Sequence, residues 1–305
     1  MTPAGRFAPS PSGELHVGNL RTAMLAWLFA RSTGRDFLLR VEDLDRARAG
    51  AEAVQLRDLE AVGVTWDGAV VRQADRAAIY AEAIGRLTAA GLTYECFCTR
   101  REIQEAPSAP HAPEGAYPGT CRDLDPAELE FKRSTRPAAI RLRAGTTDYP
   151  VQDLLHGEFT GVVDDFVLRR NDGVTAYNLA VVVDDAAQGI DQVVRGDDLL
   201  PSTPRQAYLA LRLNIPIPEY AHVPMVVNSD GARLAKRDGA VTLGDLSRAG
   251  VSAADVRNLI LQSLGLPSGT LEQALATFRP SGLPREPWVW SGPTRPATRH
   301  LQPGA

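Results

Sequence analysis

Two clusters of polar residues stand out, one near the start of the chain and one far along it. The first is HVGNL at 16–20, and the second is RLAKRDGA at 233–240. Histidine and asparagine side chains can donate hydrogen bonds to phosphate oxygens, and lysine and arginine can neutralise their charge. Together, the clusters predict the two halves of an ATP site that the fold must bring together.

The first cluster lies where a loop enters a helix. Residues 5–8 suit a short strand, after which Pro9, Pro11 and Gly13 interrupt regular structure. Apolar residues from 20 to 30 then follow helical spacing. Helix N-termini offer unpaired N–H groups to phosphates, and a glycine at position 18 permits close approach of a ligand. The alternative is an ordinary strand–loop–helix unit in which His16 only caps the helix.

A longer stretch around the first cluster identifies a family. RFAPSPSGELHVGNLRTAMLAWLFARSTGRDFLLRVEDLD (6–45) resembles the N-terminus of class I aminoacyl-tRNA synthetases of the glutamate type. HVGN stands at the HIGH signature of this family, RLAKR at the KMSKS signature, and the resemblance runs from residue 5 to about residue 265. Asn19 replaces the second histidine of HIGH. Ala235 replaces the serine before the catalytic lysine, which removes one hydroxyl from the phosphate site.

The resemblance implies roles for residues of both clusters. His16, Asn19 and Lys236 are the implied catalytic residues, with Lys236 on a mobile loop that neutralises the leaving pyrophosphate. Mg²⁺ is expected to accompany the nucleotide. The implied ATP-binding residues are His16, Gly18, Asn19, Arg233, Leu234, Ala235, Lys236 and Arg237.

The resemblance also implies a pocket for L-glutamate. Glu42, just after the strand at 37–41, would hold the α-ammonium group, and Arg6 and Arg195 would bind carboxylates as bidentate forks. Without the motif, a structural ion pair would be the simpler reading of Glu42 and Arg195. The implied glutamate-binding residues are Arg6, Phe7, Ala8, Pro9, Ser10, Glu42, Tyr177 and Arg195.

The three cysteines of the chain, Cys96, Cys98 and Cys121, indicate a metal site. A disulfide across one residue would be strained, whereas Cys-x-Cys followed by a third cysteine suits a structural Zn²⁺ that needs four ligands. By ligand chemistry, His111 is the ordinary fourth ligand. The resemblance implies Tyr117 instead, within YPGTC (117–121), and we favour it. Three buried free cysteines remain the alternative.

Alternating strands and helices predict an α/β fold with a parallel sheet. The resemblance makes it a Rossmann-like catalytic domain with a small zinc-binding insertion and a C-terminal helical subdomain. The segment 177–187 fits either a helix or a strand. The expected parts are a catalytic domain (1–95 and 135–205), the zinc-binding insertion (96–134), a helical subdomain carrying the KMSKS-like loop (206–265) and a tail (266–305) that wraps the surface or lacks order.

Composition fits a globular enzyme, with 44% hydrophobic residues and a net charge of −4. This charge argues neither for nor against a nucleic-acid partner, because local basic patches decide such binding. No apolar run reaches the roughly 18–20 residues that span a bilayer, and no signal peptide is apparent. We expect a cytoplasmic monomer without a membrane partner.

The resemblance implies activation of L-glutamate by ATP without tRNA, giving glutamyl-adenylate. Only 40 residues follow residue 265, which leaves no room for the long anticodon-reading domains of full glutamyl-tRNA synthetases. The expected acceptor is therefore that of a stand-alone branch of the family, the queuosine base in the anticodon loop of tRNA(Asp), with the catalytic domain docking the anticodon arm. The alternatives are a fragment that charges the 3′ end of tRNA(Glu) and a non-catalytic sensor of glutamate or adenylate.

Overall fold

The computed structural model describes residues 2–45, 47–105, 117–234 and 241–292. The α-helices are α1 (Val17–Ser32), α2 (Ala51–Ala61), α3 (Ala77–Ala89), α4 (Arg100–Glu105), α5 (Pro126–Thr135), α6 (Tyr177–Ala187), α7 (Thr203–Leu213), α8 (Leu243–Arg248), α9 (Ala253–Ser263) and α10 (Leu271–Thr277). The strands are β1 (Ala4–Phe7), β2 (Asp36–Val41), β3 (Val71–Arg72), β4 (Thr93–Cys96), β5 (Ala139–Leu142), β6 (Asp148–Asp153), β7 (Gly157–Val162), β8 (Val167–Arg169), β9 (Ile190–Gly196), β10 (Glu219–Val223), β11 (Val226–Val227) and β12 (Trp288–Val289).

A seven-stranded sheet forms the centre of the molecule, in the order β3-β2-β1-β9-β10-β6-β7. All neighbouring strands are parallel except β6 and β7, which form an antiparallel hairpin at one edge. The carboxyl ends of parallel strands meet at one edge of such a sheet, where ligands usually bind. The α/β class predicted from the sequence is confirmed.

Helix α1 is buried on most of its surface because it packs between β1 and β9 on one side and α9, α10 and β11 on the other. Leu20, Met24 and Leu28 are fully buried in the main core. Phe29 meets Phe278 edge-to-face at 5.3 Å between ring centroids. Since α1 is so firmly packed, its N-terminus is a rigid platform for the residues of HVGN.

A second sheet is separate from the first. Strands β4, β5 and β8 form an antiparallel sheet of three, with a small cluster around Cys96, Phe97 and Tyr117 packed at one end. Among the helices that the structure describes, none is long and apolar enough to cross a membrane.

The structure differs from the sequence prediction in two places, and it decides between helix and strand at 177–187, which the sequence left open. The range 206–265, predicted as a helical subdomain, contributes β10 to the centre of the main sheet, where it pairs with β9 and β6. The segment 177–187 is helical. The predicted tail contains α10, which buries Leu271, Ala274 and Phe278 in the main core. Amphipathic spacing over so short a helix is hard to separate from loop sequence, and long-range pairing leaves no local signal.

Candidate functional site

His16 is the N-cap of α1, and it forms a reciprocal capping box with Asn19. The N–H of Asn19 donates to His16 Nδ1, and the N–H of His16 donates to Asn19 Oδ1, both at 3.2 Å. Burial, together with the nearby Arg233 guanidinium, lowers the pKa of His16 to about 4. The imidazole is therefore neutral near pH 7, and because Nδ1 accepts a hydrogen bond, its proton lies on Nε2.

Gly18 has a local structural role that the sequence did not suggest. A Cβ at this position would lie 2.9 Å from His16 Cε1, 3.0 Å from His16 Nδ1 and 3.3 Å from Val226 Cβ. The missing side chain thus makes room for the His16 imidazole itself. The prediction assigned this space to a ligand, and the described contacts explain the glycine without one.

The two predicted halves of the ATP site approach each other in the fold. The N–H of Val17 donates to the carbonyl of Val241 at 2.8 Å, and His16 forms an antiparallel bridge with Thr242. Val241 follows directly on the RLAKRDGA cluster at 233–240. Although 217 positions separate His16 from Arg233 along the chain, the residue that follows the second cluster is hydrogen-bonded to the N-terminus of α1.

The near end of the second cluster is also fixed. Arg233 forms an ion pair with Asp198 at 3.0 Å and a bridge with Val227, and Leu234 is buried in the main core. The Leu234 side chain therefore anchors the segment, and its predicted role in binding ATP stays a prediction. Ala235, Lys236 and Arg237 lie outside the described residues, so their predicted roles stay predictions.

Four of the predicted glutamate-binding residues converge at the carboxyl ends of β1, β2 and β9. We call this place the sheet-end crevice, lined by Arg6, Glu42, Tyr177 and Arg195. Burial raises the pKa of Glu42, although the guanidinium groups of Arg40 and Arg6 oppose the shift. Burial and the Glu42 carboxylate raise the pKa of Tyr177, while Arg195 and Arg6 lower it. These shifts are those expected of charged groups that face one crevice.

The remaining predicted contacts come from the loop that follows β1. Phe7 is 8% exposed, and its side chain packs into the main core. The Pro9 carbonyl accepts the N–H of Glu42 at 3.0 Å, which ties this loop to the end of β2. Ala8 is half-buried, and Ser10 is exposed. The predicted roles of Phe7, Ala8, Pro9 and Ser10 in binding glutamate stay predictions.

A buried charge network beneath the crevice was not predicted from the sequence. Arg40 is fully buried and lies 2.8 Å from Asp185, 3.5 Å from Glu42 and 3.8 Å from Asp184. Asp185 also approaches Arg6 at 3.4 Å. Burial raises the pKa of Asp185, but the Arg40 and Arg6 guanidinium groups outweigh it and hold that pKa below its usual range. The DD pair at 184–185, in an apolar stretch, was the available signal.

The cysteine cluster brings together the predicted metal ligands. Among the described residues, the Sγ atoms of Cys96, Cys98 and Cys121 all lie within 4.8 Å of one another. The Tyr117 hydroxyl oxygen lies 3.3 Å from Cys96 Sγ and 3.6 Å from Cys98 Sγ. A tetrahedral Zn²⁺ site with bonds of about 2.3 Å has sulfur–sulfur edges of about 3.8 Å. The donor set therefore fits such an ion; His111 lies outside the described residues.

The charge around this cluster also suits a cation. Hydrogen bonds from Cys121 and Tyr117 hold the pKa of Cys96 below its usual value, which favours the thiolate, the form that binds metal. Burial raises the pKa of Tyr117 well above its usual range. A metal ion would have to displace that phenolic proton for the oxygen to become a ligand. Arg141 lies 3.6 Å from the Tyr117 ring centroid, where its charge favours an anionic ligand set.

Comparison with known proteins places this geometry in a family. The family described as tRNA synthetases class I (E and Q), catalytic domain, matches residues 4–279. The chain belongs to this class I aminoacyl-tRNA synthetase family. Membership confirms the resemblance seen in the sequence and makes the protein a ligase-type enzyme with an activity of the glutamate–tRNA ligase kind.

The sequence alignments with two individual relatives extend over almost the full length of both chains. The chain is 67% identical over 287 residues to glutamyl-Q tRNA(Asp) synthetase of Nocardia farcinica, covering 94% of this chain and 92% of that protein. It is 43% identical to the protein of that name from Symbiobacterium thermophilum, covering 93% and 94%. A glutamate tRNA ligase from Elizabethkingia meningosepticum, solved with its amino acid, superposes with a TM-score of 0.82 at 26% identity, covering 95% of this chain and 67% of that one.

Proposed function

We propose that this synthetase activates L-glutamate with ATP, without tRNA, and transfers the glutamyl group to the queuosine base in the anticodon loop of tRNA(Asp). The observation that carries the acceptor is the 67% identity to a glutamyl-Q tRNA(Asp) synthetase across nearly the full length of both chains. The activation step is supported by the hydrogen bond from Val17, in HVGN, to Val241, the residue directly after the RLAKRDGA cluster.

In the proposed activation step, a carboxylate oxygen of glutamate attacks the α-phosphorus of ATP, and the bond to pyrophosphate breaks. No protein nucleophile takes part, so the protein contributes positioning and charge stabilisation. His16 Nε2–H and the N–H groups of the first turn of α1 would donate to the phosphate as negative charge develops. Lys236 would neutralise the pyrophosphate. Bound Mg²⁺ would supply further neutralisation of the phosphate oxygens.

The sheet-end crevice would bind glutamate. Among the described residues, the Glu42 carboxylate forms one ion pair, with Arg40 at 3.5 Å, and Arg40 also pairs with Asp185. The ammonium group of the substrate would therefore complete the pairing of Glu42. Arg6 and Arg195 would meet carboxylates, and Tyr177 would close the crevice. In the separate cysteine cluster, Cys96, Cys98, Cys121 and Tyr117 would hold one Zn²⁺, whose role would be to stabilise that part of the fold.

The second candidate is charging of the 3′ end of tRNA(Glu). The specific observation in its favour is the close superposition with a glutamate tRNA ligase. Its sequence identity of 26% is much lower than the 67% to the glutamyl-Q relative, so we prefer the base-modifying reaction.

The test is transfer of radiolabelled glutamate, with ATP and Mg²⁺, to purified tRNA(Asp) with and without queuosine and to tRNA(Glu). Nuclease digestion locates the ester. We expect label on the queuosine nucleoside alone. Label on the 3′-terminal adenosine of tRNA(Glu), with queuosine-containing tRNA(Asp) untouched, would support the second candidate and reject the first.

A further inference from the structure

The Arg195 side chain donates hydrogen bonds to two other buried side chains. Its Nε–H donates to His222 Nε2 at 3.0 Å, and its Nη2 donates to Thr203 Oγ1 at 2.8 Å. Arg195 is 5% exposed, yet its Nη1 has no hydrogen-bond partner among the described residues. A buried donor without a partner is costly, so this atom requires an explanation.

His222 is in turn fixed by Asp153. The Nδ1 atom of His222 lies 2.6 Å from Asp153 Oδ2, and both side chains are fully buried. Asp153 Oδ1 also accepts the N–H groups of Leu155 at 2.8 Å and His156 at 3.0 Å. This carboxylate cannot donate, so the imidazole proton lies on Nδ1. His222 Nε2 is then a pure acceptor, as the hydrogen bond from Arg195 requires.

The protonation states agree with this arrangement. Burial raises the pKa of Asp153, but hydrogen bonds from His222, Leu155 and His156 outweigh it and hold that pKa below its usual value. Burial lowers the pKa of His222, and the Arg195 guanidinium adds to the effect against the opposing influence of Asp153. An anionic Asp153 beside a neutral His222 is therefore the stable pair near pH 7.

The register of the main sheet creates this alignment. Arg195 on β9 lies directly opposite His222 on β10. On the other side of β10, Asp153 ends β6 opposite Tyr220, two residues before His222, and its carboxylate reaches the His222 side chain. Three adjacent parallel strands thus present the three side chains in a row. The row ends at the sheet-end crevice, where Arg195 influences Tyr177.

We propose that Asp153, His222 and Thr203 are positioning residues that orient Arg195, so that its free Nη1 donates to a carboxylate of the bound glutamate. This inference rests on the proposed function. It explains the buried unpaired donor, since the substrate supplies the missing acceptor. It also explains why a neutral histidine lies behind an arginine: a protonated imidazole would repel the guanidinium and could not accept from it.

Two substitutions of His222 separate its two contacts. In His222→Asn, the side-chain amide can replace Nδ1 and still donate to Asp153, but it cannot reach Arg195. In His222→Gln, the amide oxygen can replace Nε2 and still accept from Arg195. Both variants remove the ring, so His222→Gln is the matched control for lost packing, and thermal melts check that both variants fold.

The measurement is glutamate-dependent exchange of pyrophosphate into ATP. We expect His222→Asn to raise the KM for glutamate about tenfold or more, with the KM for ATP changed less than about twofold. His222→Gln should raise the glutamate KM by only about threefold. Equal effects of the two variants, or equal shifts of both KM values, would overturn the proposal and leave His222 a structural residue.

Thr203 provides an independent check if neither His222 variant folds. Thr203→Val keeps the shape but removes the acceptor for Nη2, and it should raise the glutamate KM severalfold, whereas Thr203→Ser should restore it. An unchanged glutamate KM in Thr203→Val would count against the positioning role of Thr203.

A failure of the proposed function can be distinguished from a failure of the positioning proposal. If the wild-type protein shows no exchange, the positioning proposal is tested by calorimetric titration of glutamate into the wild type and into His222→Asn. Binding weakened about tenfold in the variant would retain the positioning role without the activity. Equal binding, or no glutamate binding by the wild type, would overturn it.

Discussion

The sheet-end crevice and the cysteine cluster are built in opposite ways. The crevice joins residues distant in sequence, such as Arg6 and Asp185, which are 179 positions apart, and the seven-stranded sheet sets their geometry. The cysteine cluster draws its ligand residues from a single stretch, 96–121, beside a sheet of only three strands. The first is fixed by the main core. The cysteine cluster has a small core of its own, and its stability would depend on a metal ion that its side chains could bind.

Because of this difference, the two sites should respond differently to a substitution or to the loss of a ligand. Buried charges under the crevice are coupled to global folding, because unpairing them leaves a charge inside the main core. Damage to the cysteine cluster should stay local, since few contacts connect it to the seven-stranded sheet. The four predictions below test this contrast, starting with the largest expected effect.

Removing the metal should unfold the cysteine cluster and spare the main sheet. Structural zinc ions supply roughly 10 kcal/mol or more to small modules. After chelation, we expect hydrogen exchange to become fast at residues 93–98 and 117–135 and to stay slow in β1, β2 and β9. Zn²⁺, but not Mg²⁺, should restore protection. Equal loss of protection in both regions would contradict the contrast.

Asp184→Ala should destabilise the whole fold by about 3–5 kcal/mol. Asp184 is fully buried and accepts hydrogen bonds from Gln73, Arg76 and Tyr80, so its loss leaves buried donors and charges unpaired. The measurement is urea unfolding. Asp191→Ala is the control, because its pair with Arg35 is partly exposed and should contribute no more than about 1 kcal/mol. Similar losses for both variants would refute the role of burial.

His16 should make stability depend on pH in the acidic range. Its pKa is about 4 in the folded protein against an ordinary 6.5, so the folded state favours the neutral imidazole. The resulting stability is complete above pH 6.5 and is lost as pH falls towards 4, by at most about 3 kcal/mol. The difference in free energy of unfolding between wild type and His16→Gln, measured from pH 7 to 4, isolates this effect. A difference that does not vary with pH would show that His16 is not desolvated.

Tyr117→Phe should weaken zinc binding by roughly tenfold to a hundredfold without changing the stability of the main sheet, because water can replace an oxygen ligand. Competition with a chromophoric chelator measures the affinity. Tyr94→Phe is the matched control, since its hydroxyl contacts Asp165 at 2.7 Å and none of the cysteines. An unchanged affinity in Tyr117→Phe would remove Tyr117 from the ligand set.

The sequence was sufficient to predict a feature wherever the residues that form it are close together along the chain. Helical spacing from residue 20 to residue 30 predicted α1, because such a period is written in consecutive positions. The clustering of Cys96, Cys98 and Cys121 indicated a metal site for the same reason. The motifs HVGN and RLAKR were sufficient to name the family, and the family match confirms it.

Only the tertiary structure could place β10 in the main sheet, add the β6–β7 hairpin and reveal the buried Arg40–Asp185 network. Strand order and cross-strand register depend on contacts between distant residues, which leave no periodic trace in the chain. The row from Asp153 through His222 to Arg195 exists because β6, β10 and β9 are neighbours. The sequence by itself determined the family and the chemistry available to this protein. The sheet decided which side chains meet, because burial and pairing across strands fix the charge and orientation of each group.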